Sequence, residues 1–183
     1  MRGNILRQLL TAMAGLSLCL LAAFPAYADS NITMQVDVGE KVVFCEARLA
    51  ADADRLARVL TDGTEVGIDW VVSIALVQAY WLNSEVATVY VRRRVIPDLV
   101  SQSWQLLDRS TGITQRTMDV RSAVHFLLHL DNFSVLDRSL LEAGESYVMH
   151  VRIEERQGQE EEGWLTNWWG YDASEVEAGF TLP

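Results

Sequence analysis

The chain has 183 residues, with 15 Lys and Arg against 25 Asp and Glu, and a formal net charge of −10. That balance excludes nucleic acid as a partner, because such affinity rests on neutralising phosphates with basic side chains. It also excludes adsorption to an anionic lipid surface.

The first elements belong to an export signal. Arg2 and Arg7 give a basic start, Leu9 to Phe24 form an apolar run, and Ala26-Tyr27-Ala28 is a small-x-small cleavage site before Asp29. The run holds 16 residues before Pro25. A spanning helix needs roughly 20, so a cleaved leader over residues 1–28 is preferred to a permanent anchor. Cys19 follows the bulky Leu18 and lies inside the apolar run, which argues against a lipid-modified cysteine.

Cleavage between Ala28 and Asp29 leaves 155 residues, a normal size for the single β-rich domain expected over 29–183. Loss of Arg2 and Arg7 leaves 13 basic against 25 acidic side chains, a net charge of −12. No further segment has the length of a membrane span. Only Cys45 remains, so no internal disulfide can form. Its neighbours Val43, Ala47 and Leu49 share its strand face, and the pattern predicts a buried, unreactive thiol.

Ile32, Met34, Val36 and Val38 alternate with polar residues and predict a strand, and Lys41 to Leu49 predict a second. Asp52 or Asp54 starts a short helix carrying Leu56, Val59 and Leu60, which Asp62-Gly63 ends. Apolar residues then occupy even positions from Val66 through Trp70 to Tyr80 and Leu82. A strand of that length exceeds the usual range, so a bend across two sheets is expected near Gly67. Asn83-Ser84 turns the chain, and Val86 to Ile96 returns with Arg92, Arg93 and Arg94, limited by Pro97 to an edge or an end.

Ser101 to Leu107 and Ile113 to Met118 flank a loop ending at Gly112 and predict a hairpin. Asp119 caps a second helix expected to run through Leu130, with a short strand at Phe133 to Leu136. Tyr147, Met149, Val151 and Ile153 alternate with His150, Arg152 and Glu154 in a further strand. An acidic stretch over 154–163 leads to Trp164, Trp168, Trp169 and Tyr171, and Val176, Ala178, Phe180 and Leu182 close the chain as a strand. The sum is a mainly β chain: a β-sandwich, Ig-like or a partly closed barrel, with two short helices.

No motif for catalysis is present. The chain has no Gly-x-Ser-x-Gly elbow, phosphate-binding glycine loop or Cys-x-x-Cys pair. His125 and His129 stand four apart, but Phe126 occupies the place of the Glu of a zinc-protease helix. A third ligand is available only if the fold brings His150 close, so no metal and no cofactor are expected. Asn31 and Asn132 begin glycosylation acceptor triplets, which matter only in a suitable secretory system. The binding candidates are the aromatics Trp164, Trp168, Trp169 and Tyr171, with Arg92 and Arg94. Aromatic side chains bury large area at interfaces at low entropic cost. Arg93 points to the other strand face.

The order of elements resembles a bacterial exported family described as domain of unknown function 4390. The resemblance is carried by the strand from Gly67 to Trp81, the Arg92-Arg93-Arg94 run, the hairpin from Trp104 to Thr117 and the helix from Ser122 to Leu130. It continues through Leu140 to Gly144 into Tyr147 to Arg152, with Trp169 and Phe180 near the end. The acidic insertion from Gln157 to Gly163 departs from it. The resemblance implies export in bacteria of the Gram-negative type and carries over no catalytic residue. A periplasmic binding protein follows, with a protein partner in the envelope such as a signalling sensor. The alternative is an enzyme acting on envelope glycans or peptides through an acidic pair near the tryptophans.

Overall fold

Period-two alternation builds nearly every element of this chain. The computed structural model describes residues 31–80, 82–154 and 175–182. Strands β1 (Ile32–Val38), β2 (Val42–Leu49) and β7 (His129–Asp137) form a three-stranded antiparallel sheet in the order β1-β2-β7. Strands β3 (Val66–Leu76), β4 (Ser84–Asp98), β5 (Ser103–Asp108), β6 (Ile113–Thr117), β8 (Ser146–Glu154) and β9 (Glu175–Thr181) form a six-stranded sheet in the order β6-β5-β4-β3-β8-β9. All pairings are antiparallel, and the two sheets do not close into a barrel. Helix α1 is Ala53–Thr61, helix α2 is Val120–Leu128, and a 3-10 turn spans Arg138–Leu140. The fold is therefore a sandwich of two open antiparallel sheets with two short helices.

The core lies between the sheets. Val66, Ile68, Trp70, Val72 and Ile74 of β3 face inward and are buried, as are Val91 and Val95 of β4 and Tyr147, Met149 and Val151 of β8. β1 packs against β8 and β9, and the two helices cover the β4–β5 end of the same face. Leu56 and Leu60 of α1 and Ala123, Val124, Leu127 and Leu128 of α2 are the buried helical positions. The Trp70 indole donates to the Leu127 carbonyl at 3.2 Å, which fixes the end of α2 against the central strand.

Helix limits follow from local chemistry. The Asp52 carboxylate caps α1 by accepting from the Arg55 amide, and Gly63 leaves the helix with φ +91°. The Asp119 carboxylate caps α2 through the amides of Arg121 and Ser122. Hydrogen bonds from Ser122 and Arg121 hold the Asp119 carboxyl below its ordinary value.

Three expectations are corrected. The strand expected to run to Leu82 ends at Leu76, stays within one sheet and does not cross at Gly67. Its partners stop there, at Ser84 on one side and Tyr147 on the other, and Tyr80 and Leu82 beyond are each 93% exposed. Helix α2 stops at Leu128, two residues before its expected end, because His129 already pairs with Arg48 and Leu130 with Ala47 in the sheet. The short strand expected at Phe133 to Leu136 is for the same reason part of a nine-residue strand. The other strands, the hairpin and the first helix form where the alternation and capping residues set them. Cys45 is fully buried and unpaired. Pro97 falls where β4 has already passed the end of β3, whose last partner is Val95, so its missing N–H interrupts no ladder there.

Candidate functional site

The arginine run divides between the two faces of β4. Arg93 points inward, where its Nη1 donates to the carbonyls of Phe126, at 2.7 Å, and of His129. The guanidinium carbon lies 4.6 Å from the centre of the Phe126 ring. A cation set on the terminal carbonyls of α2 answers the negative end of the helix dipole. Burial pulls the Arg93 pKa below the ordinary guanidinium value, against the pull of Asp108 and Asp131.

Arg94 points to the outer face. It crosses the Cα of Gly67 and pairs with the nearly buried Asp69 at 2.7 Å. A Cβ on Gly67 would collide with the Arg94 side chain, so glycine is what lets this guanidinium lie flat on the sheet. Arg92 is exposed, and its main chain closes the hairpin: its N–H donates to Ser110 Oγ at 2.8 Å and its carbonyl accepts from Arg109 at 2.8 Å. Of the two arginines expected to bind a partner, Arg94 is thus engaged within the chain and Arg92 has an exposed side chain. Trp164, Trp168, Trp169 and Tyr171 lie outside the described residues, as do Ala28 and Asp29.

The outer face beyond Arg92 is open. β5 pairs with β4 only from Arg93 to Asp98, whereas β3 pairs with β4 from Ser84 to Val95. Over Ser84 to Arg92, no described strand lies on the other side of β4. Arg92 aims both main-chain groups at that side, and strand alternation aims those of Tyr90 and Thr88 likewise. Val86 is the extra residue of a bulge between the pairs Ile74–Ala87 and Ala75–Glu85, and Arg92 is already bonded to the hairpin loop, so the regular free edge runs from Ala87 to Val91.

Beside this edge the outer face forms a groove of about 370 Å³, lined among others by Ser73, Thr88, Tyr90, His150, Arg152 and Glu175. His150 Nδ1 stands 3.5 Å from Glu175 and 3.7 Å from Glu177. The Thr88 hydroxyl is buried there with no hydrogen-bond partner among the described residues. The groove has chemistry suited to contact with peptide groups, and across it Ser73 stands opposite His150 in the β3–β8 pairing.

A second cavity lies at the opposite end, between the start of α1 and α2. It measures about 720 Å³ and is lined by residues that include Arg48, Asp52, Asp54, Arg121, His125 and His129. The rings of His125 and His129 stack at 4.0 Å with 12° between their planes. His150, considered from the sequence as their third companion, instead faces Glu175 and Glu177 on the outer sheet; Asp131 takes that place. Its Oδ2 stands 3.5 Å from His125 Nδ1. Burial and the neighbouring His125 push the His129 pKa below the ordinary histidine value.

Sequence reasoning missed Asp131 because a helix through Leu130 sets it on another face. The free edge had a legible signal: β4, at 15 residues, far outruns the 6- and 5-residue strands of the hairpin that follows it.

Two open antiparallel sheets, one of them with an uncovered strand edge among the described residues, define a β-sandwich, and that architecture alone assigns no activity. Residues 30–159 match the family model for a domain of unknown function, DUF4390. The chain belongs to that family. No curated protein and no solved structure matches it. Among the described residues, no helix is long and apolar enough to cross a membrane.

Proposed function

We propose that this protein is an exported periplasmic binding module which docks an extended segment of an envelope protein along the free edge of β4. The observation that carries this reading is the edge from Ala87 to Val91, unpaired by any strand on that side among the described residues. Its sequence, Ala-Thr-Val-Tyr-Val, is β-prone and holds neither lysine nor proline, the residues that ordinarily block strand addition. An added strand gains affinity from main-chain hydrogen bonds and specificity from alternate side chains. Tyr90 is 47% exposed and, with Thr88, borders the groove in which those side chains would rest. The acidic charge and the leader pattern of residues 1–28 support the extracytoplasmic setting.

The test has two arms. Fractionation of cells carrying the full chain, with N-terminal sequencing, is expected to recover periplasmic protein beginning at Asp29; a cytoplasmic chain retaining Met1 overturns the setting. In the second arm a photo-reactive residue replaces Thr88 or, as a control, the exposed Val100. Cross-links to one envelope protein from Thr88, lost on Tyr90→Pro with the melting temperature kept, support edge docking. Equal cross-linking from both positions, or a product of twice the chain mass only, overturns it.

A further inference from the structure

The junction of α2 and β7 brings together three groups that the sequence separates into a helix and a strand. His125 occupies the last turn of α2, His129 opens β7, and Asp131 follows two residues along. One donor atom from each lies within 4.8 Å of the other two. We propose that His125, His129 and Asp131 bind one divalent transition-metal ion of the zinc class.

The main chain under these groups is fixed on every side. The His129 N–H donates to the His125 carbonyl, and the His129 carbonyl receives the buried guanidinium of Arg93. Between the pairs Cys45–Phe133 and Ala47–Leu130, β7 carries one residue more than β2. At that bulge Asn132 adopts φ +46°, a value few residues other than glycine accept. Bulges of this kind re-aim side chains and concentrate beside functional sites. Here the bulge sits next to Asp131.

The side chains themselves have room to close. His125 is 54% exposed and Asp131 59%. Metal–nitrogen bonds of about 2.0–2.1 Å require the three donors to draw together, which side-chain rotation of the two exposed groups permits. Two imidazoles and one carboxylate select zinc, nickel or copper rather than calcium or magnesium, which prefer oxygen ligands. Three protein ligands leave a position for water. His125 and His129 also line the cleft of about 720 Å³, where Asp52 and Asp54 supply further negative charge and Arg48 and Arg121 oppose it.

The experiment is calorimetric titration of the untagged protein with Zn²⁺, followed by competition with Ni²⁺, Cu²⁺ and Mg²⁺. One site per chain is expected, displaced by Ni²⁺ or Cu²⁺ and not by Mg²⁺. His125→Ala and Asp131→Asn remove exposed groups and should each weaken Zn²⁺ by at least about tenfold. The double variant His125→Ala/His129→Gln should abolish binding, with the far-UV spectrum of the metal-free protein unchanged. His150→Ala is the control for the other histidine–carboxylate grouping and should bind as wild type. Absence of Zn²⁺ binding in wild type, retention in the double variant, or loss in His150→Ala overturns the proposal. Should the double variant fail to fold, unchanged affinity in both single variants overturns it as well.

Discussion

The two faces of the six-stranded sheet use the same strands for opposite purposes. On the inner face Val66, Ile68, Trp70, Val72 and Ile74 are sealed under the second sheet and the helices. On the outer face the intervening residues are Gly67, Asp69, Val71, Ser73 and Ala75, with Arg94, Arg92, Tyr90 and Thr88 beside them on β4. The inner side is apolar, and its polar groups reach backbone carbonyls through the Trp70 indole and Arg93 Nη1, while Arg93 Nε is buried without a partner among the described residues. The outer side mixes charge, hydroxyl and aromatic groups. It is closed at one end by the Arg94–Asp69 pair and open at the other along β4. The first face carries most of the apolar burial, while the second leaves polar and aromatic groups at the surface.

The largest expected effect breaks the inner face. Trp70→Ala leaves a cavity at the centre of the core and orphans the Leu127 carbonyl, and should cost about 3–5 kcal/mol in urea unfolding. A loss below about 1 kcal/mol would show that the face is not the stabilising one. Next comes the closed end of the outer face. Arg94→Met strands the buried Asp69 carboxylate and should cost about 3 kcal/mol, most of it recovered in Asp69→Val/Arg94→Met. A double variant as unstable as the single one would mean that the guanidinium acts by packing alone.

The third prediction reads the inner side of the smaller sheet through Cys45. Burial, with Glu46 adding to it, pushes this thiol from the ordinary value of 9.0 up to about 12. The unfolded chain releases the thiol proton above about pH 9 while the folded chain keeps it. Stability is therefore full below pH 9 and falls by about 1.4 kcal/mol per pH unit toward pH 12. Cys45→Ala should flatten that slope, and iodoacetamide should leave the native thiol unmodified at pH 8. Rapid alkylation at pH 8 would contradict the burial. The smallest effect on folding belongs to the open edge: Tyr90→Lys, at a position 47% exposed, should change stability by no more than about 0.5 kcal/mol, yet abolish cross-linking from position 88 to the partner. If binding survives it, the edge is not the docking surface.

Much of the fold was legible because most strands are covered on one face only, which writes a period of two into the sequence. Val43, Cys45, Ala47 and Leu49 show this, as do Tyr147, Met149 and Val151. Caps were legible for a similar reason, since Asp52, Asp119 and Gly63 act within a few residues of themselves. Errors arose where a pattern continued past its partners. The even spacing of Tyr80 and Leu82 matches that of Trp70, yet no described strand reaches them, and Leu130 suits a helix as well as the strand it joins.

Local chemistry thus determined the β-rich class, both short helices, the opposite orientation of Arg93, and the burial of Cys45, because each depends on alternation or on neighbours in the chain. Tertiary structure alone decided that Arg93 caps a distant helix, that Arg94 is held by Asp69 across Gly67, and that β4 outruns its neighbour and leaves an edge. It also decided that Asp131, and not His150, stands beside the paired histidines. Each of these depends on where one strand ends relative to another, and that is set by the packing of the two sheets rather than by any local run of residues.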